Sequence, residues 1–358
     1  MSREPVLGAG GGPADEDPDK LPPGGGPADD DPGKLRPQRL EEIVGQREVY
    51  ERIQIAVAAA KKRGDSLGHV LFDGPPGLGK TTFALCIPNE LGVNVQLTSG
   101  AVLKAPKDLL PYLTNAAEQS VLFIDEIHRI PRAVEEYLYT AMEDFRIDII
   151  LGDGVNARTI NFNIQPFTLI GATTRAGMLS GPLRDRFQIR EHLGFYTDPE
   201  LSEIVRRNAA KLGVELTDEA EGLIAGRSRG TPRIAINRLL WCRDYAETRA
   251  DGRITPEVAE AALKMAGVDE LGLEKLDRMY LKTLIEVFGG GPTGVEALAH
   301  TINTAVDTLS DEVEPYLLRS ALVVRTPRGR IATPKAYEHM RITPPPPKAS
   351  DDDQPKLF

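Results

Sequence analysis

The sequence predicts an α/β domain built on a parallel sheet, then a small all-helical domain, then a C-terminal module of short helices closed by a basic hairpin. Three observations predict it. Between about residues 35 and 197, short apolar runs alternate with helical patterns, as in a parallel sheet with crossover helices. After Asp198 the strand-like runs stop and helical periodicity remains. Beyond Gly289-Gly290-Gly291-Pro292, which stops a helix, two short amphipathic patterns precede two apolar runs joined by an arginine-rich turn.

Taken in order, residues 1–34 hold a duplication, GGGPADEDPDKL and then GGGPADDDPGKL. Gly, Pro and Asp dominate it, so it has too little apolar surface to offset ordering entropy and is expected to be a disordered acidic tail. The α/β domain spans 35–197. His69–Phe72 reads as a strand, Thr81–Leu91 as a helix, and Val121–Ile124 as a second buried strand. Val134, Tyr137, Leu138, Ala141 and Met142 follow at helical spacing, and Phe167–Ala172 is a third strand. Within 145–164, Ile147, Ile149 and Leu151 alternate, Gly152-Asp153-Gly154 turns, and Ile160, Phe162 and Ile164 alternate again. That is a hairpin, packed on its own domain or offered to a partner.

The helical domain covers 198–269, with Leu201, Ile204, Val205 and Leu212 on one face. Thr231-Pro232 and Thr255-Pro256 each open a helix, with Thr at the cap and Pro at the first position. The last module covers 270–342. Val295, Leu298, Ala299 and Ile302 define one helix; Leu309, Val313, Tyr316 and Leu317 define another. Leu322-Val323-Val324, the turn Arg325-Thr326-Pro327-Arg328-Gly329-Arg330, and Ile331-Ala332-Thr333 complete a winged helix. Arg325, Arg328 and Arg330 are expected to stand out from the wing and suit phosphates better than base edges; a merely solvated turn is the plainer reading. The end, 343–358, is a Pro run and an Asp cluster, expected to be unstructured.

A hydrophobic share of 41% and a charged share of 27% are those of a soluble globular protein. No apolar run approaches the ~18 residues that span a bilayer, and no signal peptide opens the chain, so a cytoplasmic location and no membrane partner are expected. Cys86 and Cys242 sit in apolar helical patterns and read as reduced core residues. The net charge of −10 is unevenly spread: residues 1–34 carry three basic and eight acidic side chains, while Arg319 to Ile342 holds six Lys/Arg against one Glu. A basic C-terminal patch therefore lies within an acidic chain, and patches govern phosphate contact.

Gly74-Pro-Pro-Gly77-Leu-Gly79-Lys80-Thr81 fits the phosphate-loop pattern, between a predicted strand and a predicted helix. Its glycines let backbone N–H groups turn toward phosphate oxygens at a helix N-terminus. Lys80 would neutralise the β- and γ-phosphates, and Thr81 would place its hydroxyl on Mg²⁺. Some 45 residues later, Val121-Leu-Phe-Ile124 delivers Asp125 and Glu126 to a strand end. Asp125 would hold the Mg²⁺ shell and Glu126 would deprotonate the attacking water. The third strand ends in Thr173-Thr174. Arginines at Pro182-Leu-Arg184-Asp185-Arg186-Phe187 and Gly230-Thr-Pro-Arg233 are candidates to stabilise γ-phosphate charge. Together these imply ATP binding and hydrolysis.

GPPGLGKTT, LFIDEIHR, FTLIGATTRAG, PLRDRF, RGTPRIA and RTPRGR, in this order, closely resemble the RuvB family of AAA+ ATPases, from about Leu35 to Pro345. The resemblance implies a large AAA+ domain with a parallel sheet, a small helical domain and a winged-helix head. It implies an ATP-driven motor for branch migration of Holliday junctions in recombination and DNA repair. Such a motor works as a hexameric ring on four-way junctions without sequence preference, with a RuvA-like partner and a RuvC-like resolvase in the same complex. Position by position, it implies that Leu35 and Arg36 lie near the adenine. Gly77, Lys80, Thr81 and Thr82 would bind phosphates and Mg²⁺, while Glu143, Asp144, Phe145 and Tyr196 line the nucleotide pocket. Thr174 would be a sensor, Arg186 a finger reaching the neighbouring subunit's ATP, and Arg233 the sensor of the small domain. Arg325 and Arg330 would contact DNA, and the hairpin 145–164 would grip the RuvA-like partner.

The sequence departs from the family at three places. Pro88 falls inside the helix after the phosphate loop and is expected to kink or end it. Gln188 replaces a glycine after Arg186-Phe187, and Asn237 falls one residue later than usual. Two alternatives compete with the motor: a switch ATPase of the replication-initiator type, which also joins an AAA+ module to a winged helix, and a non-catalytic DNA-binding adaptor. Lys80 and Glu126 speak against the adaptor.

Overall fold

Apolar runs that are buried on both faces cannot lie at a surface, and in the computed structural model they form the centre of a five-stranded sheet. The model describes residues 35–151 and 158–344. The expected tails, apart from Thr343 and Pro344, and the turn Gly152-Asp153-Gly154 lie outside the described residues, as do the side chains of Ile149 and Leu151. The strands are β1 (Val70–Asp73), β2 (Val95–Ser99), β3 (Val121–Asp125), β6 (Thr168–Thr173) and β7 (Ile189–His192), all parallel, in the order β2-β3-β6-β1-β7. A separate antiparallel hairpin pairs β4 (Arg146–Leu151) with β5 (Arg158–Asn163). α1 (Arg47–Arg63) precedes the sheet, and the helices between its strands are α2 (Lys80–Leu91), α3 (Pro106–Thr114), α4 (Arg132–Asp144) and the short α5 (Gly181–Asp185). They cover both sheet faces, so β6 is buried at every position.

Pro88 neither ends α2 nor isolates the residues after it. The helix runs on to Leu91 and closes at Gly92 with φ 72°. Placed in the last turn, Pro88 removes one N–H bond, while its own carbonyl still accepts from Val93 N at 3.1 Å. Pro88 itself is buried.

The second domain is α6 (Asp198–Leu212), α7 (Asp218–Gly226), α8 (Pro232–Arg249) and α9 (Pro256–Met265). Thr255 caps α9 as expected, accepting from Val258 N. Thr231 does not cap α8; its hydroxyl turns back to the carbonyl of Arg229 at 3.4 Å, because Arg229 and Gly230 carry φ of 58° and 69° and curl the chain under it. Leu201, Val205, Leu239 and Cys242 belong to the same buried cluster as Leu193, Tyr196 and the first-domain core. Both Cys86 and Cys242 are buried and free, and burial pushes each thiol up to about 12.

The C-terminal module has its own core, centred on Tyr280, Leu284, Leu298, Leu309 and Leu317. It contains α10 (Lys275–Lys282), α11 (Val295–Ile302), α12 (Val306–Thr308, continued by a π-turn at Leu309–Val313 and then Glu314–Arg319), the pair β8 (Val323–Thr326) and β9 (Gly329–Ala332), and α13 (Pro334–Met340). Arg325 lies directly opposite Arg330 in the β8–β9 register. Opposed residues of an antiparallel pair share a face, so two like charges meet and need a counter-ion. Glu314, fully buried on α12, supplies it: Arg330 Nε donates at 2.8 Å, Arg325 Nε at 2.9 Å and Tyr280 Oη at 2.9 Å. Burial alone would raise the Glu314 carboxyl, but those donated bonds outweigh it and hold it below the usual carboxylate range.

Glu314→Ala is therefore expected to lower stability by about 3 kcal/mol or more, since it strands two arginines and a buried phenol. Urea unfolding of the full chain checks this; a loss under about 0.5 kcal/mol would contradict it. Because the folded value lies below the unfolded value of about 4.3, the wild-type contribution is complete above that pH. It fades as pH falls through the folded value. Glu314→Gln should lack that acid-side loss.

Candidate active site

Strand order decides which loops meet. β6 lies between β1 and β3, so three neighbouring strand ends present the phosphate loop, Thr173-Thr174 and Asp125-Glu126 along one sheet edge. Gly77 and Gly79 take φ of 79° and 102°, which a side chain would resist. A Cβ on Gly77 would also stand 2.7 Å from Thr231 Cγ2 and 3.1 Å from Arg233 Cβ. The glycine thus admits the start of α8, whose Arg233 N donates to Gly77 O at 3.4 Å.

Lys80 opens α2, and its Nζ donates to the carbonyls of Gly74 at 2.7 Å and Pro75 at 2.8 Å. Burial pulls its pKa down to about 8, against the carboxylates of Glu126 and Asp125, which raise it. A desolvated ammonium held by two carbonyls gains most when a phosphate arrives. Thr81 and Asp125 line the same cleft. No group of three or more His, Cys, Asp or Glu that could hold a metal ion occurs among the described residues. One hydroxyl and one carboxylate fit Mg²⁺, which keeps waters and takes phosphate oxygens in place of a full protein cage.

Glu126 leaves β3 with φ 45°, and its Oε2 accepts from Thr174 N at 3.3 Å and Thr174 Oγ1 at 3.1 Å. It also lies 3.1 Å from His128 Nδ1, which stands 2.9 Å from Thr173 Oγ1. The remaining walls are Leu35, Arg36, Thr82, Tyr196 and Arg233. Tyr196 Oη donates to Leu78 O at 3.3 Å, and burial raises the phenol. Gly74 stands outside the cleft lining; its carbonyl holds Lys80, and its φ of 135° lets the chain pass close to Leu193.

Glu143, Asp144, Phe145 and Arg186 do not reach this cleft within the chain. α4 runs back across the sheet, so its end lies at the opposite edge, near the starts of β1 and β7. There Arg186 Nη2 pairs with Glu143 at 2.9 Å, and its guanidinium covers the Tyr139 ring at 4.3 Å. Glu143, Phe145 and Arg186 border a second cavity with His69, Phe167 and Gln188. Asp144 lies between them in sequence, 3.9 Å from Arg146 Nη2.

Residues that no motif announced also line the cleft: Ile43, Asn208 and Lys211 among them. Asn208 and Lys211 lie on α6, whose sequence shows an ordinary amphipathic pattern. At the head, three free arginines were expected and one is found. Arg328 is exposed with no ion-pair partner among the described residues, whereas Arg330 is 19% and Arg325 48% exposed, both turned back on Glu314.

Residues 35–193 match the family model of the Holliday junction DNA helicase RuvB P-loop domain, 196–269 the RuvB AAA lid domain, and 270–341 the RuvB C-terminal winged helix domain. A Holliday junction branch migration complex subunit RuvB from Rhodopirellula baltica is 67% identical over 306 residues, 86% of this chain and 84% of that protein. The subunit from Saccharopolyspora erythraea is 51% identical over 334 residues, 93% and 95% of the two chains. The chain belongs to the RuvB family. The solved structure of the Thermotoga maritima RuvB branch migration motor superposes with a TM-score of 0.79 at 48% identity, over 87% of this chain and 99% of that one.

Within the RuvB family pattern, two departures now have a place. Gln188 accepts from His69 N at 2.6 Å and lies against Gly68, closing the start of β1 where a glycine would leave a gap. Asn237 lines the nucleotide cleft one position from Ile236, so the shift keeps an amide at the site.

Proposed function

We propose that this RuvB-family chain is the ATPase subunit of a motor that drives branch migration of Holliday junctions. The convergence of Lys80, Glu126, Thr174 and Arg233 on one cleft, in a chain that also carries a winged-helix head, supports this reading best. Gly77, Gly79 and Lys80 would hold the phosphates, with Leu35, Arg36 and Tyr196 toward the nucleoside. Thr81 and Asp125 would hold Mg²⁺, which when bound draws charge from the phosphate oxygens. Glu126 takes the proton of the attacking water, and Thr174 fixes its carboxylate. Arg233 brings the small domain onto the γ-phosphate.

Arg186, with Glu143, Asp144 and Phe145 beside it, faces away from its own cleft and serves the nucleotide of a neighbouring subunit. A closed hexameric ring satisfies that requirement at every subunit. On the β4–β5 hairpin, Ile160 and Phe162 are 48% and 44% exposed while Ile147 is buried at the base. The exposed pair offers the apolar contact expected for a RuvA-like partner, with a RuvC-like resolvase in the same assembly. Relatives matching along most of the chain are RuvB subunits, so the replication-initiator alternative is not favoured.

The direct test is ATP-driven strand exchange on a synthetic four-way junction, with and without a RuvA-like partner; ATP hydrolysis without branch migration would reject the motor. At the head, Arg328→Ala should weaken DNA binding, leave ATP binding unchanged, and lower the salt slope of log K by about 0.9. Arg325 and Arg330 remain DNA candidates that must share their charge with Glu314. An unaltered slope in Arg328→Ala would move the DNA surface elsewhere.

A further inference from the structure

The residue that follows the sensor is tied to the head. Arg175 succeeds Thr174, and its backbone N donates to Thr173 Oγ1 at 3.0 Å. Its guanidinium crosses to α12 of the head, where Nε donates to Asp311 at 3.2 Å, Nη2 makes a closer bond to the same carboxylate, and Nη2 lies 3.1 Å from Asp307. Asp311 is 37% and Asp307 77% exposed, so Asp311 is the partner less screened by solvent and the stronger of the two. Thr173 Oγ1 also meets His128 Nδ1, which faces the Oε2 of Glu126 that Thr174 holds. A continuous series of contacts therefore runs from Glu126 through Thr174, and through His128 and Thr173, to Arg175 and the head.

We propose that Arg175 is a positioning residue that couples the placement of the DNA-binding head to the placement of Glu126. This rests on Glu126 acting as base and on the head binding DNA. The head has a second anchor where the first and small domains join: Arg319 Nη2 donates to Tyr196 O at 3.3 Å, Nη1 donates to Arg229 O at 3.5 Å, and the guanidinium covers Phe195 at 4.8 Å. When DNA displaces α12 about that anchor, Arg175 must follow Asp311 or exchange it for water. While the pair holds, that displacement moves the backbone that carries Thr173 and Thr174 and so changes the grip on Glu126; once the pair is broken, the displacement no longer reaches it. Coupling of this kind is reciprocal in binding: the nucleotide held at Glu126 then alters junction affinity.

The test uses the full chain, ATP and a synthetic four-way junction. Arg175→Glu and Asp311→Arg should each keep basal hydrolysis within about twofold while junction stimulation falls on the order of five- to tenfold. The double swap, which restores opposite charges, should recover most of it. If a single variant does not fold, Asp311→Asn removes the charge without added bulk and is read in the same way. Wild-type stimulation in both singles overturns the coupling, as does a folded swap no better than either single. Junction affinity of the swap without nucleotide should match wild type; its loss would also overturn the proposal, since the substitutions would then act on the DNA surface. A Glu126→Gln control separates the two readings: turnover there rejects the base but leaves the swap informative about the link.

Discussion

Arg186→Ala is expected to lower ATP turnover by about 10³-fold or more while ATP binding changes little. Arg186 lies at the sheet edge opposite the phosphate loop, paired with Glu143 and stacked on Tyr139, and takes no part in lining its own cleft. A charge placed there can act on a nucleotide only across a subunit boundary. Mixing Arg186→Ala with Lys80→Ala chains should then restore part of the activity. The first binds ATP and lacks a finger; the second donates the finger and lacks the phosphate lysine. Steady-state hydrolysis across mixing ratios checks this. Turnover near wild type in the single variant, or no rescue in the mixture, would remove Arg186 from that role.

Glu126→Gln is expected to cost about 10²- to 10⁴-fold in turnover, the usual range for a lost general base. The amide keeps an oxygen for the Thr174 hydroxyl and backbone N–H, so the cleft should hold its shape. Nucleotide affinity should accordingly stay near wild type, and the variant should trap ATP. Single-turnover hydrolysis beside equilibrium binding separates these effects. Hydrolysis at the wild-type rate would hand the base role to another group.

What was legible in the sequence was local. Gly77, Gly79 and Lys80 could be read because a phosphate loop needs backbone freedom and an ammonium at fixed spacing. Asp125 and Glu126 were legible because a buried strand ends abruptly in charge. The edge strands β2 and β7 were not, since Val95–Ser99 and Ile189–His192 carry polar residues without a long apolar run. Asn208 and Lys211 were equally silent, because an amphipathic helix looks the same whether its polar face meets water or a nucleotide.

The sequence by itself therefore nominated the chemistry: which residues would hold phosphate, Mg²⁺ and a water proton, and the order in which a phosphate loop, a helical stretch and a basic turn follow along the chain. The tertiary structure decided who meets whom. Inserting β6 between β1 and β3 brought Thr174 onto Glu126, and α4 carried Glu143 to the far edge beside Arg186. Facing Arg325 with Arg330 across a two-residue turn committed both to the buried Glu314 and left Arg328 outside. Spacing along a chain fixes local geometry within a few residues. Pairing across a sheet or between domains depends on strand order and packing, which no short stretch of sequence encodes.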